Sequence, residues 1–286
     1  MERQRTSGQP GRTMTMRAQC PDAGIPSRGT LWSTLEEICI LLHSPTTSLA
    51  SDKTLFQHVQ FKTGQRIHRV GQVFDTLYVV NAGFLKTATV DDSGTERVLG
   101  FPMKGDMIGL DGIHFHHHAS ETIALTECDL ILLPFARLTG LGRANPDVEN
   151  LMYRMMSREL AFRQEIINTL GTLSAEARVA RFLVSLTDRF VELGYSGKLF
   201  NLRMTRQEIG NFLGLTMETV SRTLSAFNEM GLITVQQRCV GINEPEALRA
   251  LCRPPPAWPL APGRTRPVQT LRRSATGSLP KSSVNR

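Results

Sequence analysis

The stretch Met204–Leu232 constrains this chain more than any other part of its sequence. Thr205 is placed to cap a short helix, Arg206–Leu213, whose Ile209, Phe212 and Leu213 fall on one face. Gly214 follows where two crossing helices need a tight turn, at a position where a side chain is expected to crowd them. Thr216 is placed to cap a second helix from Met217 to about Met230, with Val220, Leu224 and Phe227 as its buried stripe. The opposite face presents Glu218, Thr219, Ser221 and Arg222 near the N-terminal end. Arg forks onto guanine O6 and N7, Glu accepts from the amino group of cytosine, and Ser and Thr reach base edges or phosphates. Charged helix faces are usually only solvated, but two caps and a turn glycine in one register favour a helix-turn-helix that reads double-stranded DNA. Downstream, Gly231–Val235 and Cys239–Ile242 read as strands around Gln236-Gln237-Arg238, a wing that brings Arg238 to a phosphate.

The charge of +7 is not evidence for that site. Residues 253–286 hold seven basic groups and no acid, and residues 1–29 hold five Arg against Glu2 and Asp22. The remaining middle carries about −3. Both ends are expected to be disordered, the C-terminal one a Pro-rich basic tail that is either dispensable or a source of salt-sensitive phosphate attraction. Met14 and Met16 are equally plausible starts. No apolar run has the length or flanks of a signal peptide or membrane span, so a soluble, cytoplasmic protein with no membrane partner is expected. Cysteines at 20, 39, 128, 239 and 252 form no Cys-x-x-Cys pair, which argues against a disulfide scaffold or a closed zinc site.

Between about Thr54 and Phe135 the pattern is short strands punctuated by Gly64, Gly71, Gly83, Gly94, Gly105 and Gly109. Thr76–Val80 and Leu85–Val90 are two of the runs, and Asp91-Asp92-Ser93-Gly94 is a turn. Such spacing predicts an all-β sandwich or barrel, preceded by a helix over Leu31–Leu42. From about Pro146 to Gly171 there is no Pro or Gly inside a long helical segment whose apolar residues exceed one narrow stripe. It is expected to touch the β-domain on one side and a second copy on the other, with Met152, Met155, Met156, Phe162 and Ile166 at the dimer interface. Methionine-rich helices are also ordinary core. A further helix, Ala175–Leu193, leads into the DNA-reading part.

In this order the elements resemble the Crp/Fnr family of bacterial transcription regulators over about residues 30–250. The likeness is closest to the FNR branch, through LYVVNAGFLKTATVDDSGTERVLGFPMKGDMIGLDGI (77–113) and MTRQEIGNFLGLTMETVSRTL (204–224). The resemblance implies an α+β fold with a jelly-roll sensor domain over 30–144, a dimerisation helix over 145–172 and a winged helix-turn-helix over 173–252. It implies a homodimer acting as an activator with RNA polymerase as partner. It also implies that Glu218, Ser221 and Arg222 read a palindrome resembling TTGAT-N4-ATCAA: Arg222 on guanine, Glu218 on the opposing cytosine or adenine edge, Ser221 on thymine. Thr205, Arg206, Thr216, Thr219 and Arg238 complete the expected DNA face.

The sensor half departs from the family pattern. Oxygen-sensing members hold an iron–sulfur cluster with three closely spaced N-terminal cysteines and one in the β-domain. Here Cys20 and Cys39 are nineteen residues apart, and Cys128 falls about three positions early. No conventional cluster is expected, and Cys39 and Cys128 are read as buried and inert. Members that bind cyclic AMP follow the turn with a Glu and carry an Arg-Ser pair. Gly105-Asp106-Met107-Ile108-Gly109 is followed here by Leu110, and the pair reads His118-Ala119, so cyclic AMP is not expected. His114, His116, His117 and His118 are read as an exposed loop without ligand, although clustered imidazoles bind zinc, copper or haem iron and titrate near neutrality. A second reading is a ligand-, haem- or redox-sensing module that acts through a protein partner rather than DNA. No nucleophile elbow, phosphate-binding glycine loop or His-Glu-x-x-His motif supports an enzyme.

Overall fold

The computed structural model describes residues 31–44, 53–91 and 94–252. Both terminal extensions, Cys20, and Asp92-Ser93 of the turn lie outside the described residues. The N-terminal half is two facing antiparallel sheets. One has the order β1-β2-β9-β4-β7, formed by Trp32–Thr34, Leu55–Phe61, Cys128–Pro134, Thr76–Ala82 and Met107–Ile108. The other has the order β3-β8-β5-β6, formed by Arg66–His68, Glu121–Ala124, Leu85–Val90 and Glu96–Gly100. All six punctuating glycines have positive φ, between 78° and 98°, which is why the chain reverses where glycine stands. Alternation along each strand then sorts its side chains. Val80, Leu130 and Cys128 face Leu85 and Ala124 of the opposite sheet, while Leu77, Val79, Ile131 and Leu133 face helices.

Those helices are α1 (Leu35–Leu41), α2 (Phe135–Ala144) and the first half of α3 (Pro146–Thr172). The expected helix over Leu31–Leu42 is corrected at its start. Thr34 accepts from the Glu37 N–H and Glu37 returns a bond to the Thr34 N–H, a capping box that sets the first helical residue at Leu35. Trp32–Thr34 instead pair with Leu55–Gln57.

At about 1.5 Å per residue α3 is about 40 Å long, and Asn145 caps it by accepting from the Asp147 N–H. Its apolar residues divide differently from the expectation. Met155, expected at a dimer interface, is 6% exposed in the single chain, sealed with Leu151 and Val148 against the five-stranded sheet. Met152 packs partly against the same core, and Phe162 and Ile166 against a second core. The stripe left open on α3 is Tyr153, Leu160 and Ile167 (56%, 71% and 62% exposed), seven residues apart, with the half-buried Met156 between the first two. Both faces of the helix are apolar, and the sheet, by arriving from far away in sequence, selects which is used.

The C-terminal half comprises α4 (Ala175–Glu192), α5 (Arg206–Leu213), α6 (Met217–Glu229), a three-stranded sheet and α7 (Pro245–Leu251). That sheet has the order β10-β12-β11, from Leu199–Asn201, Cys239–Ile242 and Ile233–Gln236. Strand β10 has only three residues and had no period-2 signature of its own. Arg178 ties the half together, donating to the carbonyls of Leu170 (2.7 Å), Leu173 (3.0 Å) and Leu213 (3.1 Å). Its core is continuous with the sensor sheets: Val98, Phe101 and Met103 join Phe182, Phe190, Phe212 and Leu224 in one apolar cluster.

Candidate nucleic-acid interface

Two capped helices meet at a turn. Thr205 accepts from the Glu208 N–H at 3.2 Å, and Glu208 Oε2 accepts from the Thr205 N–H at 2.8 Å. Thr216 accepts from the Thr219 N–H at 3.1 Å, and the two threonine hydroxyls lie 2.9 Å apart. Ile209, Phe212 and Leu213 on α5, and Val220, Leu224 and Phe227 on α6, are buried as their spacing predicts. Gly214 does not relieve crowding between the helices, as its place in the turn suggested. Gly214 adopts φ +62°, the left-handed conformation that ends α5, but a Cβ there would meet nothing nearer than 3.6 Å. The crowded position is Gly210, where a Cβ would lie 2.7 Å from the Leu215 carbonyl oxygen. Its one sequence signal is a glycine inside a helical period, which costs helix propensity and does not itself say what approaches.

On the outer face of α6, Glu218 and Arg222 are exposed and Thr219 and Ser221 half-buried. Glu218 and Arg222 are 69% and 79% exposed at the side chain, and Arg222 Nη2 donates to Glu218 Oε1 at 2.6 Å. Ser221 donates to the Met217 carbonyl at 2.9 Å, one turn back. Beside them β11 and β12 form the wing, closed by Gln237-Arg238 with Gln237 at φ +54°. Arg206, at the start of α5, donates to the Gln237 carbonyl at 3.1 Å. Burial, with Arg238 nearby, pushes the Arg206 pKa down. Two guanidiniums so placed repel each other, and an anion between them relieves that repulsion. The structure thus sets Arg206 against the wing tip beside Arg238, and leaves Glu218 and Arg222 exposed on α6.

Asp111 Oδ2 accepts from the Ala119 N–H (3.0 Å), the Ser120 N–H (2.8 Å) and the Ser120 hydroxyl (2.7 Å). Burial opposes its charge, but the Ser120 bonds and the nearby His68 and His118 hold its pKa below the usual aspartate range. A chain carboxylate therefore already uses the donors of the segment that, by resemblance, would face a cyclic nucleotide's phosphate. Cys128 is enclosed: burial raises its thiol pKa, and Sγ lies 3.3 Å from the Phe84 and Thr126 carbonyls. Cys39 is equally buried, in a different core.

A cavity of about 240 Å³ lies where the sensor sheets, α3 and α4 meet. Its arginines are engaged: Arg158 and Arg189 with Asp106, Arg163 with Glu159, Arg181 with the Thr169 hydroxyl, and Arg178 with three carbonyls. The histidine expectation is corrected for one member. His114, His116 and His117 are exposed, whereas His118 is buried, its ring stacked 3.9 Å from His68. Backbone bonds from His118 to Gln72 and from Gly71 to His118 turn that ring inward. Burial and then His118 lower the His68 pKa to about 4.

Among the described residues, no group of His, Cys, Asp and Glu is arranged to hold a metal ion, and no helix is long and apolar enough to cross a membrane.

Comparison with known proteins agrees with this geometry. Residues 177–251 match the model of the Crp-like helix-turn-helix domain, and residues 58–145 that of the cyclic nucleotide-binding domain. The chain is 34% identical to the transcriptional regulatory protein Btr of Bordetella pertussis over 218 residues, 76% of this chain and 90% of that protein. It is 36% identical over 200 residues to the fumarate and nitrate reduction regulatory protein of Salmonella typhi, 70% of this chain and 80% of that one. The solved structure of FixK2 from Bradyrhizobium japonicum has the same fold at 24% identity. Its TM-score is 0.64, covering 69% of this chain and 98% of that one.

Proposed function

The chain belongs to the Crp/Fnr family of DNA-binding transcription regulators, and from that premise we propose that it acts as a homodimer on a palindrome of the TTGAT-N4-ATCAA type. Its relatives are transcription regulators, not enzymes. The observation that carries the reading is the exposed Glu218–Arg222 pair on a helix capped at Thr216. An exposed i,i+4 pair is worth about 0.3–0.5 kcal/mol, whereas a bidentate arginine–guanine contact discriminates by about 1–3 kcal/mol. The guanine therefore wins Arg222 from Glu218, which turns to the opposing base edge while Ser221 contacts thymine. Thr205, Arg206, Thr216, Thr219 and Arg238 take phosphates and fix the register. The α3 stripe of Tyr153, Leu160 and Ile167, with Met156, joins the two copies. Such a dimer works in the cytoplasm, where the DNA lies, and activates transcription through RNA polymerase.

The sensor half needs neither cyclic AMP nor an iron–sulfur cluster in this reading. The self-satisfied Asp111 and the inaccessible Cys128 thiol support that part.

The test is a gel shift on the palindromic duplex, in air and under strict anoxia, with wild type and Arg222→Ala. Equal wild-type shifts, lost in the variant, are expected. A shift confined to anoxia refutes the effector part, and an undiminished Arg222→Ala shift refutes the reading of the DNA face.

A further inference from the structure

Lys86 stands on β5 of the sensor domain, yet its ammonium group is shared with the helix-turn-helix. Its side chain is only 10% exposed, and Nζ lies 2.7 Å from Glu96 Oε1 on β6 and 3.1 Å from Glu208 Oε1 on α5. Glu208 is the capping-box residue of α5, and its other oxygen holds the Thr205 N–H. Burial disfavours the lysine charge, but the two carboxylates outweigh it and raise its pKa. Burial likewise disfavours the Glu208 charge, and the Thr205 and Lys86 bonds outweigh it and lower its pKa.

The rest of this junction is mostly aromatic. Phe101 packs edge-on against Phe212 and Phe182, and Arg203 lies over Phe84. Apolar contact is non-directional: it holds the two halves together but tolerates sliding and rotation. Close ion pairs tie particular atoms together and restrict that sliding. One such pair, Arg189–Asp106, grips α4, and Lys86–Glu208 grips the N-terminus of α5. That terminus also carries Arg206, which holds the wing tip, while α6 closes on α5 across Gly210. The orientation of α5 therefore sets both the recognition helix and the wing, and in the observed orientation Glu218 and Arg222 stand open.

We propose that Lys86 is a positioning residue for DNA reading: it holds α5 through Glu208 so that the two recognition helices of a dimer meet their half-sites together. The proposal rests on the palindrome reading given above. It assigns to the sensor sheet a direct part in DNA affinity that needs no bound effector. Two DNA-reading units must be aligned at once, so the loss on freeing them goes as the square of the aligned fraction. A fall to about one third per unit lowers apparent affinity about tenfold.

The experiment compares full-length wild type, Lys86→Met, Lys86→Arg, Glu208→Gln and the Lys86→Met/Glu208→Gln double variant by fluorescence anisotropy. The duplexes are the palindrome, a scrambled sequence and a palindrome with one base pair added between half-sites, over a salt series. Glutamine at the third helical position preserves the capping box, so Glu208→Gln keeps the test valid if Lys86→Met unfolds. Expected are an about tenfold loss on the palindrome for Lys86→Met and for Glu208→Gln, no further loss in the double variant, and retention in Lys86→Arg. Scrambled-DNA binding and the slope of log affinity against log salt should stay unchanged. A slope reduced by about one would make Lys86 a phosphate contact and overturn the proposal. Unchanged or increased palindrome affinity in Lys86→Met would also overturn it. Failure of wild type to distinguish palindrome from scrambled DNA would instead remove the palindrome reading itself.

Discussion

Substituting alanine for Gly210 places a methyl carbon 2.7 Å from the Leu215 carbonyl oxygen and 3.3 Å from the Thr216 carbonyl carbon. Ordinary contact begins near 3.4 Å, so about 0.7 Å of overlap must be absorbed. Both opposing atoms are backbone, and the same segment is tied back by the Leu215 N–H donating to the Gly210 carbonyl at 2.9 Å. No rotamer change relieves the clash. Overpacking of this kind costs about 1–3 kcal/mol, and alanine returns about 1 kcal/mol of helix propensity. The net expectation is destabilisation of up to about 2 kcal/mol, with α5 and α6 forced apart. Gly214→Ala is the control: its cost of about 1–2 kcal/mol comes from the left-handed backbone, without a clash. Urea unfolding should show both variants destabilised. Anisotropy on the palindrome, well below either unfolding transition, should then show a loss of specific binding for Gly210→Ala that exceeds the loss for Gly214→Ala. A Gly210→Ala protein as stable as wild type and equally tight on the palindrome would refute the reasoning.

Three other outcomes follow from the same structure. Arg222→Ala should lower palindrome affinity by about 1–3 kcal/mol, with a much smaller effect on scrambled DNA; an equal loss on both would make Arg222 a phosphate contact. Leu160→Glu should leave the fold near wild type, since Leu160 is open in the single chain, but shift sedimentation from dimer to monomer; a dimer that survives would move the interface elsewhere. His68 is held neutral, with its pKa lowered from 6.5 to about 4, so the unfolded chain takes up a proton first as pH falls. Its contribution is full above pH 6.5 and is lost as pH falls through that window to about 4, by roughly 3 kcal/mol at most. Unfolding free energies at pH 7 and pH 5 should therefore differ less in His68→Gln than in wild type, and equal pH dependence would argue against the assignment.

Much of this protein is legible in its sequence, because the deciding physics is local. A threonine three residues before its partner N–H caps a helix whatever surrounds it, so α5 and α6 begin after Thr205 and Thr216 as their spacing implies. Glycines mark the reversals of the β-domain because positive φ belongs to the single residue. Alternation and helical period assign Leu77, Val79, Ile209 and Phe227 to cores without reference to any partner.

What tertiary structure decided concerns elements distant in sequence. Met155 and Leu160 lie on one apolar helix, and only the arrival of the five-stranded sheet buries the first and leaves the second open. His118 looked like its three neighbours until strand pairing turned its ring onto His68, 50 residues earlier. Gly210 and Gly214 were distinguishable by φ and by close approach only once α6 was folded back on α5. Lys86 read as one more polar strand residue. Its meaning comes from Glu208, 122 positions later, because the charge of a buried lysine has to be met by whichever carboxylates the fold brings there.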